Sequence, residues 1–162
     1  MEPRIVELQP KKLIGLHLKM SLAQNRTKEL WQGFGPRRKE ITNNIGPGAY
    51  SLQVYEAGSS MSSFNYNTEF EKWAVVEVED FDSVPDGMDT YTLEGGLYAV
   101  FIHKGPVTTF HKTSAFIHTA WFPNSEYVRD ERESFEYLDE RYLGPMHPDS
   151  EEEVWVPIRP KE

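Results

Sequence analysis

In its second half the chain reads Tyr91-Thr92-Leu93-Glu94-Gly95-Gly96-Leu97-Tyr98-Ala99-Val100-Phe101-Ile102-His103, and the last seven residues of this stretch are typical of a buried β-strand. The first half carries a similar order, in which Val6-Glu7-Leu8 is followed by Ile14-Gly15-Leu16-His17. His17 and His103 lie 86 residues apart (103 − 17), which is too long for a solenoid repeat and suits a duplicated half-domain. We therefore expect two copies of one motif, packed about a pseudo-twofold axis with a ligand groove along it.

A helix follows the strands in each half. In the first half Leu30, Trp31 and Phe34 form the apolar face of a helix that begins near Thr27. Gly35-Pro36 must end or kink this helix, because proline lacks the amide donor. In the second half we expect a helix over residues 107–120. Residues 50–55 alternate like a half-buried strand and are expected to pair with 73–78.

These elements predict an α+β fold of duplicated βαββ units, with antiparallel sheets, two main helices and a central ligand groove. We expect a single domain over residues 1–162, with half-units at about 1–84 and 85–162 joined near the Pro85-Asp86-Gly87 turn. Residues 58–67 form either a hairpin loop or a lid whose aromatic side chains reach the groove.

Composition excludes several kinds of protein. The chain has 162 residues, enough for one ordinary core, and no cysteine, which removes disulfides and thiolate chemistry. No apolar run of signal-peptide or membrane-spanning length is present, so we expect a cytoplasmic protein without a membrane partner. The formal charge of −9 repels phosphate backbones, and direct nucleic-acid binding is not expected. Too few residues precede Ile5 for a DNA-reading module, which predicts a stand-alone domain.

The sequence predicts neither a cofactor nor a metal. It has no Walker A loop, and Gly95-Gly96 lacks the third glycine of a dinucleotide fingerprint. His111 and His118 could share a helix face, but they are two turns apart and poorly placed to ligate one ion. The basic cluster Arg37-Arg38-Lys39 is interpreted as a solvated surface.

Four motifs in order carry a family resemblance: residues 97–105, Trp121-Phe122-Pro123-Asn124-Ser125, Phe135-Glu136-Tyr137 and Val154-Trp155-Val156-Pro157-Ile158. In this order they resemble the GyrI-like (gyrase-inhibitor-like) family, which is similar to the effector-binding domains of AraC-type and multidrug-sensing bacterial transcription regulators. The resemblance covers nearly the whole chain and is strongest from about Tyr91 onward. It implies two βαββ units about a pseudo-twofold axis, with the ligand between them.

The resemblance also implies a ligand and a site. Glu136 corresponds to an acidic residue that, in drug-sensing relatives, attracts lipophilic cations within an aromatic pocket. A carboxylate among aromatic rings is costly to desolvate unless a cation or hydrogen bonds compensate, and the ring faces themselves attract cations. The predicted ligand is therefore a hydrophobic, cationic small molecule, with these aromatic residues as candidate walls: Tyr50, Tyr98, Trp121, Tyr137 and Trp155.

Two alternatives remain open at this point. Some relatives resemble hydrolases of electrophilic small molecules, in which Glu136 would act as a general base and Tyr98 or Tyr137 would orient the substrate. In the other alternative the chain is a protein-interaction module of gyrase-inhibitor type. A protein partner or a homodimer is compatible with the sequence, since the strand at 154–158 could pair within the fold or across a dimer.

Overall fold

The computed structural model describes residues 2–55 and 64–162, so residues 58–63 of the predicted loop or lid lie outside the described residues. The strands are β1 (Arg4–Leu8), β2 (Lys11–Met20), β3 (Ala49–Val54), β4 (Phe70–Val78), β5 (Asp89–Leu93), β6 (Gly96–Lys104), β7 (Tyr127–Arg129), β8 (Ser134–Leu138) and β9 (Glu151–Pro160). The helices are α1 (Thr27–Phe34), α2 (Phe110–Phe116) and the short α3 (Phe122–Asn124). Two 3₁₀ segments, Gly35–Glu40 and Val107–Thr109, and a π-helical turn, Ile117–Trp121, complete the helical parts.

The strands form one antiparallel sheet in the order β1-β6-β9-β8-β3-β4-β2-β5, with β7 also paired to β9. The outermost strands are exchanged between the halves of the chain, because β1 pairs with β6 and β5 pairs with β2. Each half therefore supplies the edge strand of the other. This arrangement confirms the predicted α+β fold with two main helices, and it joins the expected sheets into one.

The strand bounds relate the two halves by a shift of 85 residues, because β1 (Arg4–Leu8) becomes β5 (Asp89–Leu93) and the first residue of β3, Ala49, becomes the first residue of β8, Ser134. The shift carries Leu8 onto Leu93, and it turns the pair Val6↔Tyr98 into the pair Tyr91↔Leu13 (93 − 8, 91 − 6 and 98 − 13 are all 85). The same shift carries Ser51 onto Glu136, and these two residues lie directly opposite each other on β3 and β8. The pseudo-twofold axis consequently passes through the sheet at the Ser51↔Glu136 pair.

The shift of 85 corrects the expected equivalence of His17 and His103, which requires a shift of 86 (103 − 17). A shift of 85 places His17 on Ile102, one residue before His103, and successive side chains of a strand point to opposite faces. The two histidines accordingly have different surroundings. His17 stacks on Trp73, whereas His103 hydrogen-bonds to Thr113 of α2.

One face of the sheet encloses an apolar cluster, called here the interior cluster: Leu8, Leu13, Tyr50, Leu52, Trp73, Val75, Leu93, Tyr98 and Phe135. It unites the outermost strands, through Leu8 and Leu93, with the central strands, through Leu52 and Phe135. The sheet is therefore curved around it. Gly95, with φ of 87°, permits a close approach to β1, because a Cβ there would lie 2.3 Å from the carbonyl oxygen of Leu8.

The helices cover the other face of the sheet in two separate places. Leu30 and Phe34 of α1 pack on Ile14, Ala74 and Val76, residues of β2 and β4. The second helical run packs through Ile117 and Phe122 on a different set of buried residues, Ala99, Phe101, Val154, Val156 and Ile158 of β6 and β9. This leaves the central strands β3 and β8 between the two helices.

Several local predictions are confirmed and others need adjustment. The predicted pairing of 50–55 with 73–78 is present as β3 and β4. The helix predicted over 107–120 is interrupted, since its last part is a π-helical turn. The strand at 154–158 pairs on both sides, with β6 and β8, and does not lie at an edge. None of the helices in the described ranges combines the length and the hydropathy needed to cross a bilayer.

Candidate ligand-binding groove

Glu136 lies on the helix-bearing face of the sheet, at its centre. Its neighbours along β8, Phe135 and Tyr137, pack with the interior cluster. Because side chains alternate along a strand, Glu136 points to the opposite face. Its register partner on β9 is Val154, which packs beneath the second helical run. The carboxyl group of Glu136 therefore lies in the space between α1 and α2.

Four more polar residues share this face with Glu136 and form a diagonal band across the central strands, called here the polar row: Lys72, Gln53, Ser51, Glu136 and Glu152. Gln53 pairs directly with Lys72 across β3 and β4, and the Lys72 Nζ donates a hydrogen bond of 2.9 Å to the Gln53 Oε1. Ser51 lies opposite Glu136 at the axis. The ammonium group thus lies at one end of the polar row and the carboxyl groups lie at the other.

Glu152 has the most perturbed carboxyl group of the polar row. Burial and, to a smaller extent, the charge of Glu136 raise the pKa of Glu152 to about 8, although the charge of Lys72 opposes them. At neutral pH the Glu152 side chain is therefore mostly protonated, and a cation brought to this end of the row would favour its ionised form. Tyr142 lies near both glutamates, and burial, followed by the charges of Glu152 and Glu136, raises the pKa of its hydroxyl.

Four of the aromatic residues predicted as ligand walls pack together on the other side of the sheet from Glu136. Tyr50 and Tyr98 belong to the interior cluster, and Tyr137 and Trp155 pack against it. Tyr50 and Tyr137 have ring centroids 5.0 Å apart, and Trp155 contacts Tyr98 at 5.9 Å. The structure thus brings these four together, while Glu136 lies on the opposite face.

Trp121 lies apart from the other five predicted site residues. Its ring is in the π-helical turn and packs edge-on against Phe101, at 5.2 Å between centroids. Phe122 and Tyr127 complete its surroundings. Trp121 is therefore on the helix-bearing face, within the apolar contact that anchors the second helical run.

Two tyrosines at the edge of the interior cluster are hydrogen-bonded to Glu133. The Tyr98 hydroxyl donates to the carbonyl oxygen of Glu133 at 2.9 Å, and the Tyr91 hydroxyl donates to the Glu133 carboxylate. Burial is the main reason that the pKa values of the Tyr50, Tyr91 and Tyr98 hydroxyls are raised. All three phenols are neutral and act as packed, hydrogen-bonding residues.

His17 lies between two carboxylates. Its Nδ1 is 2.9 Å from Glu71 Oε2, its Nε2 is 2.7 Å from Asp89 Oδ2, and its ring stacks on Trp73 with centroids 4.1 Å apart. Burial lowers the pKa of His17, but the hydrogen bonds and charges of Glu71 and Asp89 outweigh it, so the pKa is raised from 6.5. In its protonated form the imidazole links β2 to β4 and to the start of the exchanged strand β5.

Raising the pH is expected to weaken this link. The stabilisation by His17 is fully present below its unfolded-state pKa of 6.5 and is lost as the pH rises through the raised folded-state value. The group is partly exposed, so we expect roughly 1 kcal/mol or less. Thermal unfolding of wild type and His17→Gln from acidic to alkaline pH should show the advantage of wild type shrinking as the pH rises. The exposed His111→Gln is the control, and a constant wild-type advantage across the range would contradict the assignment.

Other parts of the surface offer less to a ligand. An open depression of about 400 Å³ lies beside the first 3₁₀ segment and is lined by Gly35, Arg38, Lys39, Ile41, Asn44 and Val76. Arg38 is already engaged there with the Pro47 carbonyl oxygen. Within the described residues, no group of three or more histidine and acidic side chains is arranged to hold a metal ion.

Sequence comparison connects this geometry to a family. The profile of the GyrI-like small molecule binding domain matches residues 1–159. The chain belongs to the GyrI-like family. The transcriptional regulator BrlR of Pseudomonas aeruginosa is 28% identical to this GyrI-like domain over 158 residues, which are 98% of the chain and 56% of BrlR. The domain therefore spans just over half the length of that regulator.

Solved structures share the fold of this GyrI-like domain. SAV2435, solved bound to tetraphenylphosphonium, has a TM-score of 0.74 and 18% identity over 98% of this chain and 94% of its own. The EcmrR C-terminal domain has a TM-score of 0.70 and 11% identity over 99% of this chain and 98% of its own. At sequence identities this low, the structural similarity establishes only that the proteins share a fold.

Sequence reasoning missed five members of the candidate site in this GyrI-like domain: Ser51, Gln53, Lys72, Tyr142 and Glu152. Lys72 reads as an outward charge on an alternating strand, yet its side chain is only 7% exposed. Glu152 lies in the acidic run Glu151-Glu152-Glu153, where nothing separates the inward residue from its neighbours. Tyr142 follows β8 in a loop. Knowledge of the strand register would have identified Glu152, because it lies two residues from Val154, the partner of Glu136, and therefore shares its face of the sheet.

Proposed function

We propose that this GyrI-like domain binds hydrophobic cations in the groove over β3 and β8, with Glu136 as the anionic anchor. The observation that carries the proposal is the position of Glu136 at the pseudo-twofold axis, between the helices and beside Glu152. The fold neighbour bound to tetraphenylphosphonium supports a lipophilic cation as the ligand class. The chemistry agrees, since a cation placed between the two carboxyl groups favours the ionised form of both.

The second part of the proposal is that aromatic side chains contact the ligand. Tyr50, Tyr98, Tyr137 and Trp155 pack in and against the interior cluster, where a ligand would have to enter the curved sheet to touch them. Tyr142, which is near both glutamates, is the aromatic side chain best placed to meet a ligand on the helix-bearing face. Its ring would add cation–π attraction of roughly 0.5–2 kcal/mol.

Replacing Glu136 with glutamine is expected to weaken tetraphenylphosphonium binding about tenfold or more, because the amide keeps the shape and removes the charge. Binding of neutral triphenylphosphine oxide should change little. Both affinities are measured by quenching of tryptophan fluorescence and by calorimetry.

The matched control is Glu140→Gln, which makes the same charge change at an exposed position just beyond β8. It should leave both affinities within about twofold, since exposed charges are screened. Equal losses of cation and neutral ligand in Glu136→Gln, or equal effects of the two variants, would contradict the role of Glu136 as the anchor.

One observation favours the hydrolase alternative as a second candidate. A carboxyl group with a pKa of about 8, such as that of Glu152 beside Glu136, is suited to proton transfer near neutral pH. In that case an electrophilic ester or epoxide would be consumed over many turnovers, and Glu152→Gln would abolish the turnover while leaving ligand binding in place. Chromatography of the reaction mixtures distinguishes turnover from binding.

A further inference from the structure

Lys72 is an unusual residue for a groove that attracts cations. Its side chain is 7% exposed, and within the described residues its Nζ donates to only one acceptor, the neutral Gln53 Oε1 at 2.9 Å. No ion pair within 4.0 Å joins it to a carboxylate of the described residues. An ammonium group has three N–H donors, so two of them have no acceptor among residues 2–55 and 64–162, although the residue is largely buried.

The surroundings of Lys72 explain why it is held there. Its partners in the sheet are Gln53 on one side and Leu18 on the other, so the stem is flanked by packed residues. Gln53 is itself oriented by a hydrogen bond of 2.8 Å from its Nε2 to the Tyr55 hydroxyl oxygen. This orientation turns Gln53 Oε1 toward Lys72, and the ammonium is fixed on the helix-bearing face of the sheet.

Lys72 and the glutamates mark opposite ends of one groove. By register, Lys72 is two strands and two residues away from Glu136, roughly 12 Å between Cα atoms at ordinary strand dimensions. The pseudo-twofold axis through Ser51↔Glu136 places Lys72 and Glu152 in equivalent positions on β4 and β9, and these positions carry opposite charges. The polar row therefore has a positive and a negative end.

We infer that Lys72 is a ligand-binding residue and that the groove takes amphoteric compounds, whose cationic group meets Glu136 and whose anionic group, such as a carboxylate, meets Lys72. This inference rests on the proposed function for the cationic end. A carboxylate would satisfy the two free N–H donors of Lys72 with charge-assisted hydrogen bonds. A ligand with a positive charge alone would leave them unsatisfied and would also meet a like charge.

The test compares two phosphonium ions of similar size, carboxypentyl-triphenylphosphonium, which is a zwitterion at neutral pH, and hexyl-triphenylphosphonium, which is a cation. Calorimetry with wild type should show tighter binding of the zwitterion. Lys72→Met should weaken the zwitterion about tenfold and leave the cation unchanged or slightly tighter. Lys72→Arg, which retains the charge, should keep the preference for the zwitterion, and this variant guards against a folding defect in Lys72→Met.

The outcomes separate the two proposals. If the cation binds through Glu136 but Lys72→Met affects both ligands equally, or neither, the inference about Lys72 is overturned and the proposed function stands. If Lys72→Arg loses the preference as fully as Lys72→Met, its role is only structural and the inference is again wrong. If neither phosphonium binds wild type, the proposed function fails and the amphoteric ligand class fails with it.

Discussion

Replacing Phe135 with alanine is expected to lower the free energy of unfolding by about 3–5 kcal/mol, the usual cost of removing a buried aromatic ring. Phe135 is 1% exposed and contacts three other rings, with centroids 5.6 Å from Tyr50, 5.5 Å from Tyr98 and 5.2 Å from Trp155. The cavity would open at the centre of the interior cluster, where residues from both halves of the chain meet. Urea unfolding followed by far-ultraviolet circular dichroism measures the change.

The control for this prediction is Tyr66→Ala, which removes a ring that is 65% exposed. It should change the free energy of unfolding by about 0.5 kcal/mol or less. A loss below about 1 kcal/mol for Phe135→Ala would mean that the space beside Phe135 tolerates a cavity. That result would favour an adaptable interior and would strengthen the prediction that its aromatic residues contact a ligand.

Tetraphenylphosphonium affinity is expected to rise with pH up to about 8 and then to level off. Burial and the charge of Glu136 raise the pKa of Glu152 to about 8, so binding of a cation below that pH must displace a proton. The affinity should therefore fall by up to tenfold for each pH unit below 8, as proton linkage requires. Calorimetry in buffers of different ionisation enthalpy measures both the affinity and the released proton.

Glu152→Gln should flatten this pH dependence, because the amide does not titrate. The ligand carries a permanent charge, so its own ionisation does not contribute. His17 is also titratable, but it lies on the interior face, and His17→Gln should therefore leave the slope unchanged. A slope that survives in Glu152→Gln would assign the linked proton to another group.

The fold could be anticipated from the sequence because its signals are local. Alternation along 50–55 and 73–78 predicts two paired strands, and they pair as β3 and β4. The repeated order of residues around Leu8 and Leu93 predicts a duplication, and the strand bounds repeat from β1 to β5 with a shift of 85 (93 − 8). The Phe135-Glu136-Tyr137 motif also contains the residue that lies at the pseudo-twofold axis, Glu136.

The candidate site was less predictable, because membership in it depends on which face of the sheet a side chain occupies. A match displaced by one residue pairs His17 with His103, although one stacks on Trp73 and the other contacts α2. The alternation of side chains along a strand also places Glu136 and its neighbour Tyr137 on opposite faces of the sheet. No sequence pattern shows that the strands β1 and β5 exchange places, since only the paired register reveals it.

By itself the sequence determined the strands, the two helices, the duplication and the family, since each depends on the order of residues within a short segment or on its repetition. Tertiary structure alone decided the composition of the groove. Lys72 and Glu152 lie 80 residues apart (152 − 72), and they become opposite ends of one polar row only because β4 and β9 flank the central strands. Burial in that position also raises the pKa of Glu152, and it leaves the Lys72 ammonium group with a single acceptor among the residues that the structure describes.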